Sequence, residues 1–321
     1  MVDQERPIQA FRLDETRPID WAPDQAWTPS QGDFWFHLNR NSEPSKAWLI
    51  EHSGLAEHIS KSLLASSTRP RLEINEDGLL LILRGVNLNE QADPSDMISL
   101  RIWIDEHRLI SIERERFRSV AEIAEGLSHH DGPRSTGSLL VLILSKMGDK
   151  IGPIVDEISE RLDLLEDQIL SPDFVDDRNE LMLLRQRAIM LYRHIKPQTD
   201  VLIDLSRLEH DLFDRIHLRS FHEAVNRNQR FVEELEASKG RMQVLQDELA
   251  NQLSAQMNRR MYAVSLIATI LLPMSILTGL LGINVGGIPL AQSPLGFTIV
   301  CIVLVAMGFI GVWIARKIDW L

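Results

Sequence analysis

The chain has 321 residues, of which 44% are hydrophobic and 25% charged, and a formal net charge of −12. This length exceeds the usual size of about 100 to 200 residues per domain and predicts two or three folding units. Residues 257–321 carry four basic residues and one acidic residue, so the other 256 residues together carry −15. Such an acidic portion excludes nucleic acid as an expected partner, because nucleic-acid phosphates are neutralised by clusters of Lys and Arg.

Residues 1–134 contain short elements of mixed type and predict an α/β domain. The composition of residues 33–38 predicts a strand, and the apolar spacing of residues 47–65 predicts a helix. A breaker-rich link follows a short helix at 119–127 and places the domain boundary at residue 134. Polar turns between apolar runs predict two β-hairpins, with strands at 71–74 and 79–88, and at 97–104 and 109–113.

Residues 135–257 have helical composition and predict a long helical stalk. Gly152-Pro153, Ser171-Pro172 and Pro197 are the expected interruptions. From residue 225 onward, apolar and polar residues share a seam with alternating spacings of three and four, which is typical of a coiled coil that specifies association. The apolar seam positions are Val225, Val232, Leu235, Met242, Leu249 and Leu253, and the polar ones are Asn228, Lys239, Gln246 and Gln256.

The C-terminal part, residues 258–321, predicts a membrane hairpin. Residues 261–315 contain no Asp, Glu, Lys, Arg or His, which argues against a soluble enzyme and suffices for two crossings of about 20 residues each. The expected spans are 261–281 and 296–315, joined by an outer loop at 282–295. Residues 256–262 contain neither Gly nor Pro, so we expect no break in the helix between the stalk and the first span. One helix should therefore contain both.

Basic pairs flank this hairpin on the same side, Arg259 and Arg260 before it and Arg316 and Lys317 after it. The positive-inside rule therefore predicts that both termini are cytoplasmic and that the protein is a multi-pass protein of the plasma membrane, the inner membrane in a bacterium. The N-terminus lacks the features of a signal peptide. Cys301 is the only cysteine, so no intramolecular disulfide is possible.

Small and polar residues recur along one stripe of the first span. Two interpretations stay open: close helix packing in lipid, or the lining of a narrow pore surrounded by several copies. Helix packing and pore lining both predict an oligomer. Pro273 removes one backbone hydrogen bond and frees a carbonyl, which needs buried or aqueous surroundings. The stripe consists of Asn258, Met261, Ser265, Ala268, Leu272, Ser275 and Gly279, and reaches Gly282.

The triplet Gly282-Ile283-Asn284 at the outer end of the first span resembles the Gly-Met-Asn hallmark of the CorA family of divalent-cation transporters. The domain order supports the resemblance over essentially the whole chain. Ile283 departs from the usual Met, and together with residues 285–289 it is similar to the zinc transporter ZntB branch. The resemblance implies a cytosolic α/β domain, a helical stalk and two C-terminal transmembrane helices in a homopentameric funnel, with the ion pathway along the first spans.

The chemistry of the triplet agrees with a position at the outer mouth of such an ion pathway. Five copies of Asn284 would present amide oxygens to a cation, Gly282 would permit close backbone approach, and Ile283 would shape the mouth. A loop Asn that caps the helix end is the alternative interpretation. Because Cys301 is the only conventional zinc ligand between residues 261 and 315, a tight zinc site is not expected. With no acid or His in the spans, flow down the membrane potential is favoured over proton coupling.

The predicted function is therefore zinc transport, with divalent cations as substrate, the bilayer and further copies of the chain as partners, and no catalytic residue or cofactor. Magnesium, cobalt or nickel transport stays open, as does a membrane-anchored coiled-coil sensor or scaffold. Cytosolic candidates for regulatory metal are more simply interpreted as solvated helix faces. They are His194, His210, His217 and His222, and Asp156, Glu157, Glu160, Asp163, Glu166 and Asp167.

Overall fold

The structure is a computed structural model that describes residues 7–29, 32–66, 69–169, 178–283, 287–288 and 293–317. The chain divides into two compact units, with the division between Leu245 and Gln246. The first unit contains an α/β portion and long helices, and the second contains two apolar helices. Asn284 and the Ser171-Pro172 pair lie outside the described residues.

In the described part of the chain the elements up to residue 128 are three strands, a helical segment, four strands and a helix, and those afterwards are all helical. The strands are β1 (Ile8–Arg12), β2 (Arg17–Ile19), β3 (Phe34–Asn39), β4 (Arg71–Asn75), β5 (Gly78–Gly85), β6 (Ile98–Ile104) and β7 (Arg108–Glu113). The helices are α1 (Glu43–Ala47), α2 (Glu57–Leu64), α3 (Arg118–Ser128), α4 (Thr136–Ile169), α5 (Arg178–Ser206), α6 (Arg215–Leu281) and α7 (Gly296–Lys317).

The strands form one sheet in the order β2-β1-β3-β7-β6-β5-β4. Neighbouring strands are antiparallel except β3 and β7, which are parallel and therefore end at the same edge of the sheet. Both predicted hairpins are confirmed, as β4–β5 and β6–β7. The predicted strand at 33–38 is confirmed as β3. β1 and β2 were not predicted, because polar and turn-forming residues surround these short segments.

Hydrophobic cores cover both faces of the sheet. Leu81 of β5 and Ile102 of β6 pack with residues of α3, α4 and the start of α6 on one face. Leu80 and Trp103 pack with α2 on the other. Because strands buried on both faces need apolar side chains in both directions, β5 and β6 are nearly continuous apolar runs. The exception in β6 is Arg101, a charged residue that is 1% exposed.

Helices α4 and α6 lie side by side in a parallel pair within the first unit. Four contacts join residues 78 or 79 apart in the sequence, and other contacts join residues about one turn to either side, at 75 and 82, so the two helices advance together. The paired side chains are Ser138 and His217 (3.1 Å), Asp149 and Arg227 (2.6 Å), Ser159 and Ser238 (3.4 Å), and Asp163 and Arg241 (2.6 Å).

This pairing changes the interpretation of the coiled-coil seam. Leu235, Met242 and Leu249 are buried within the single chain, so most of the seam that we expected to mediate association between chains is already buried without a second chain. Leu253, further along the seam, is 39% exposed. The prediction that one helix contains both the seam and the first span is confirmed, since α6 runs from Arg215 to Leu281.

Two predictions about helix ends were wrong. The helix expected over 47–65 is divided between α1, a π-helical turn at Trp48–His52, and α2. The Ser53 hydroxyl donates to the Leu49 carbonyl, and Gly54 follows with a φ of +72°, which ends that turn. Pro153 and Pro197, expected as interruptions, lie inside α4 and α5. Burial of the apolar faces of these helices outweighs the loss of one backbone bond at each proline.

Candidate functional site

The second compact unit contains two helices that are long and apolar enough to cross a membrane. The apolar part of α6 has a mean hydropathy of 2.2 and that of α7 a mean of 2.7, and neither apolar segment is buried inside the chain. An apolar core helix of a soluble protein would be buried, so this exposure requires another apolar environment. The predicted spans are confirmed as helices: the first is the C-terminal part of α6, which ends at Leu281, and the second is α7, Gly296–Lys317.

Helices α6 and α7 pack through one face of each. On α6 the partly buried positions recur at spacings of four and three, namely Leu266, Ile270, Met274, Leu277 and Leu281. On α7 two glycines allow close approach. A Cβ on Gly311 would lie 2.9 Å from Ile270 Cγ1, and a Cβ on Gly308 would lie 3.2 Å from Met274 Cε. The small residues of α7 thus permit the contact, as is usual for helices in lipid.

The stripe of small and polar residues lies on the opposite side of α6. At about 100° per residue, it is centred about 180° from Ile270. All its members are exposed in the single chain, including Met261 at 65% and Leu272 at 64%, and a Cβ on Gly279 would contact nothing within 4 Å. Since α7 occupies the other side, the stripe is not used for packing within the hairpin.

The C-terminal end of α6 is closed by backbone contacts of Gly282. Its N–H donates to the carbonyls of Thr278 at 2.9 Å and Gly279 at 3.2 Å. A Cβ at this position would lie 3.1 Å from the Thr278 carbonyl oxygen, so close backbone approach favours glycine here. Ile283 follows and is 49% exposed. Asn284, the third member of the triplet, is not among the described residues, and its role stays a prediction.

Polar groups inside α6 bond mostly to the helix itself. Thr269 donates to the Ser265 carbonyl at 2.8 Å, and Thr278 donates to the Met274 carbonyl at 3.0 Å. Pro273 lies inside the helix, so the Thr269 carbonyl lacks its usual N–H donor. The hydroxyls of Ser265 and Ser275 lie on the exposed stripe, where they can contact water or a hydrated ion.

The described residues hold no group of three or more His, Cys, Asp or Glu arranged to bind a metal. Several of the residues considered as regulatory metal ligands have other partners. Asp163 and Glu166 both pair with Arg241, which raises the pKa of that guanidinium through these hydrogen bonds. His217 contacts Ser138 and Asp214. The interpretation of the acidic and histidine-bearing helices as charged helix faces stays a prediction.

Comparison with known proteins gives a consistent family. Residues 30–317 match the family model described as CorA-like Mg2+ transporter protein. The divalent cation transporter CmaX of Pseudomonas aeruginosa is 36% identical over 289 residues, 89% of this chain and 87% of its own length. The zinc transport protein ZntB of Pectobacterium carotovorum is 34% identical over 315 residues, 98% of this chain and 96% of its own length.

The solved structures agree with the sequence matches. The structure of the full-length CmaX protein superposes with a TM-score of 0.82 at 32% identity and covers 98% of both chains. The fold, the two apolar helices and the relatives therefore confirm the predicted architecture and the predicted resemblance. This chain belongs to the CorA-like family of membrane transporters of divalent cations.

Proposed function

We propose that this protein conducts zinc through the centre of a homopentamer, along a pore that α6 lines. The observation that carries the proposal is the arrangement of the hairpin: α7 covers one side of α6, while the small and polar stripe on the other side is exposed. One helix cannot enclose a pathway, so several copies must place their stripes around a common axis. Small side chains at Ser265, Ala268, Ser275 and Gly279 permit the close approach that a narrow pathway requires.

The stripe provides oxygen atoms and no strong metal ligand. Asn258, Ser265 and Ser275 offer amide and hydroxyl oxygens, and Gly282 to Asn284 would form the outer mouth. Zinc held tightly by a protein is usually bound by His, Cys or carboxylate. The proposed zinc ion therefore passes hydrated, or with brief amide and carbonyl contacts, and Asn284 is a contact of this type.

Zinc is proposed as the principal substrate because of the ZntB relatives, of which one aligns with 98% of this chain. CmaX is named a transporter of divalent cations in general, which supports a pathway of modest selectivity, since oxygen ligands discriminate weakly among these ions. The stripe carries no ionisable group, so we infer that the membrane potential drives the flow.

The orientation follows from charge. Arg259 and Arg260 precede the first span, and Arg316 and Lys317 follow the second. The positive-inside rule places both pairs in the cytoplasm, with the first compact unit and both termini on that side of a bacterial inner membrane. The loop between the spans then faces outward, together with Gly282 and Ile283.

A matched pair of substitutions tests the pore face. Ala268 lies on the stripe of α6, whereas Ala306 lies on α7 on the side away from α6, and both are exposed in the single chain. Ala268→Leu should reduce zinc uptake into proteoliposomes about tenfold or more, because five isobutyl side chains in place of five methyl groups would narrow the pathway. Ala306→Leu, which meets lipid, should leave uptake within about twofold of the unchanged protein. Equal uptake by the two variants would refute the assignment of the stripe.

A further inference from the structure

A cationic cavity of about 380 Å³ lies in the first compact unit, apart from the proposed ion pathway. It opens at the sheet edge where the parallel strands β3 and β7 end. Arg40 and Arg114 are the first residues after these two strands, and the Arg40 N–H donates to the Glu113 carbonyl at 2.7 Å. β5 contributes Arg84 and β6 contributes Arg101, so four guanidinium groups line one cavity.

Arg101 is the unusual member of this cluster. Its side chain is 1% exposed, and Nη2 donates to the Ala65 carbonyl at the end of α2 at 2.8 Å. Its Nε and Nη1 are buried and have no hydrogen-bond partner among the described residues. Burial, followed by the charges of Arg40, Arg84 and Arg114, lowers the pKa of Arg101 to about 10. The group is therefore still charged at neutral pH.

The acidic groups of the cavity leave this charge uncompensated. Asp96 and Glu115 line the cavity, but both are exposed, and neither forms an ion pair within the described part of the chain. Glu115 accepts a hydrogen bond from Asn87 at 3.3 Å. His194 also lines the cavity, and burial followed by the charges of Arg84 and Arg193 lowers its pKa. Four guanidinium groups thus face two carboxylates in a chain whose net charge is −12.

We propose that this arginine cavity binds a small phosphorylated anion. A buried guanidinium with unpaired donors is costly, and an anion in the cavity would supply the missing acceptors. Guanidinium groups match phosphate oxygens in a bidentate manner and stay charged across the physiological range. The volume lies within the range of about 300 to 1,000 Å³ that is usual for small-molecule sites. Free inorganic phosphate and the phosphates of a nucleotide share this chemistry.

The test uses the full-length protein in detergent, titrated calorimetrically with inorganic phosphate, pyrophosphate or ATP, and with sodium chloride at the same ionic strength. We expect saturable binding of a phosphorylated ligand. Arg101→Met and Arg114→Gln should each weaken this binding about tenfold or more, because each removes a charged donor. Arg219→Gln is the matched control, since Arg219 is exposed on α6 and its ion pair with Glu223 is long, at 3.8 Å. The affinity of this variant for the phosphorylated ligand should not change.

Thermal unfolding separates lost binding from lost folding. Without the anion, Arg101→Met should unfold at the same temperature as the unchanged protein or a higher one, because it removes an uncompensated buried charge. With the anion, the unchanged protein and Arg219→Gln should gain more stability than Arg101→Met and Arg114→Gln. Tighter binding of phosphate or of ATP identifies the source of the ligand. Absence of saturable binding, an equal effect of chloride, or full affinity in Arg101→Met would overturn the proposal. These outcomes concern binding alone and are independent of ion transport.

Discussion

The contact between the two membrane helices gives a quantitative prediction. In Gly311→Ala the new Cβ would lie 2.9 Å from Ile270 Cγ1, about 0.5 Å inside the 3.4 Å at which ordinary contact begins. Cγ1 is close to a stiff β-branched position and moves little, so the helices must separate. Overpacking of this kind costs about 1 to 3 kcal/mol, and at roughly 2 °C for each kcal/mol we expect the unfolding midpoint to fall by several degrees.

Two further variants make this prediction specific. In Gly308→Ala the Cβ would lie 3.2 Å from Met274 Cε, the flexible end of a long side chain, so the loss should be at most about 0.5 kcal/mol. Ile270→Ala added to Gly311→Ala should recover part of the lost stability, because it removes the clashing atom. Thermal unfolding of the purified protein in one detergent measures all three. Equal losses for Gly308→Ala and Gly311→Ala, or no recovery in the double variant, would refute the packing argument.

The first compact unit and the stalk give three further predictions. Gly240 is exposed in α6 and a Cβ there would contact nothing within 4 Å, so Gly240→Ala should raise the unfolding free energy by about 1 kcal/mol; a measured loss would contradict this. Burial raises the pKa of Glu113, but the charge and hydrogen bond of His37 and the Phe117 N–H outweigh it, and the pKa lies below its ordinary 4.5. Stability from this group is therefore present above about pH 4.5 and lost as the pH falls through the lower folded pKa; Glu113→Gln should weaken that acid dependence, and an unchanged pH profile of the unfolding midpoint would disprove it. Arg241→Ala should cost less than about 1 kcal/mol, because its pairs with Asp163 and Glu166 are largely exposed, and a larger loss in denaturant unfolding would show that the parallel pairing of α4 and α6 depends on it.

Sequence patterns predicted the features that depend on local periodicity. The apolar tract after residue 260 and the hairpins β4–β5 and β6–β7 follow from runs of apolar residues between polar turns, and the structure confirms them. For α6, the sequence predicted the stripe of small and polar residues but not the face that packs against α7. The stripe from Asn258 to Gly279 was visible in the sequence, but its position opposite α7 depends on Gly308 and Gly311. Small residues at a spacing of three in an apolar span were the available signal.

Features that depend on tertiary contacts could not be predicted in the same way. The seam of α6 reads as an association surface because a heptad pattern does not say which helix will cover it, and the structure shows that α4 of the same chain lies along it. The arginine cavity joins Arg84 and Arg101 of two strands with Arg40 and Arg114, which follow two others, and the sequence does not show that these residues meet. Its one local signal was Arg101, a charge inside an otherwise apolar central strand.

The domain limits at residues 134 and 257, the termini in the cytoplasm and the number of subunits remain predictions. Parts of the predicted α/β domain and of the predicted stalk share one core inside the first compact unit, since Leu139 of α4 and Val225 of α6 pack with the sheet residues Leu81 and Ile102. Limited proteolysis that releases residues 1–134 as a folded fragment would support the earlier boundary. A shared core predicts instead that the smallest folded fragment includes the long helices.

The most direct test of the central claim is ion-resolved uptake into liposomes that contain the purified protein. Zinc and magnesium are compared with a membrane potential and a pH gradient imposed separately, for the unchanged protein and for Asn284→Ala. We predict zinc uptake that follows the potential, needs no pH gradient and is lost in Asn284→Ala. Uptake that requires the pH gradient would contradict potential-driven flow, and the absence of flux for any divalent cation would contradict conduction along α6.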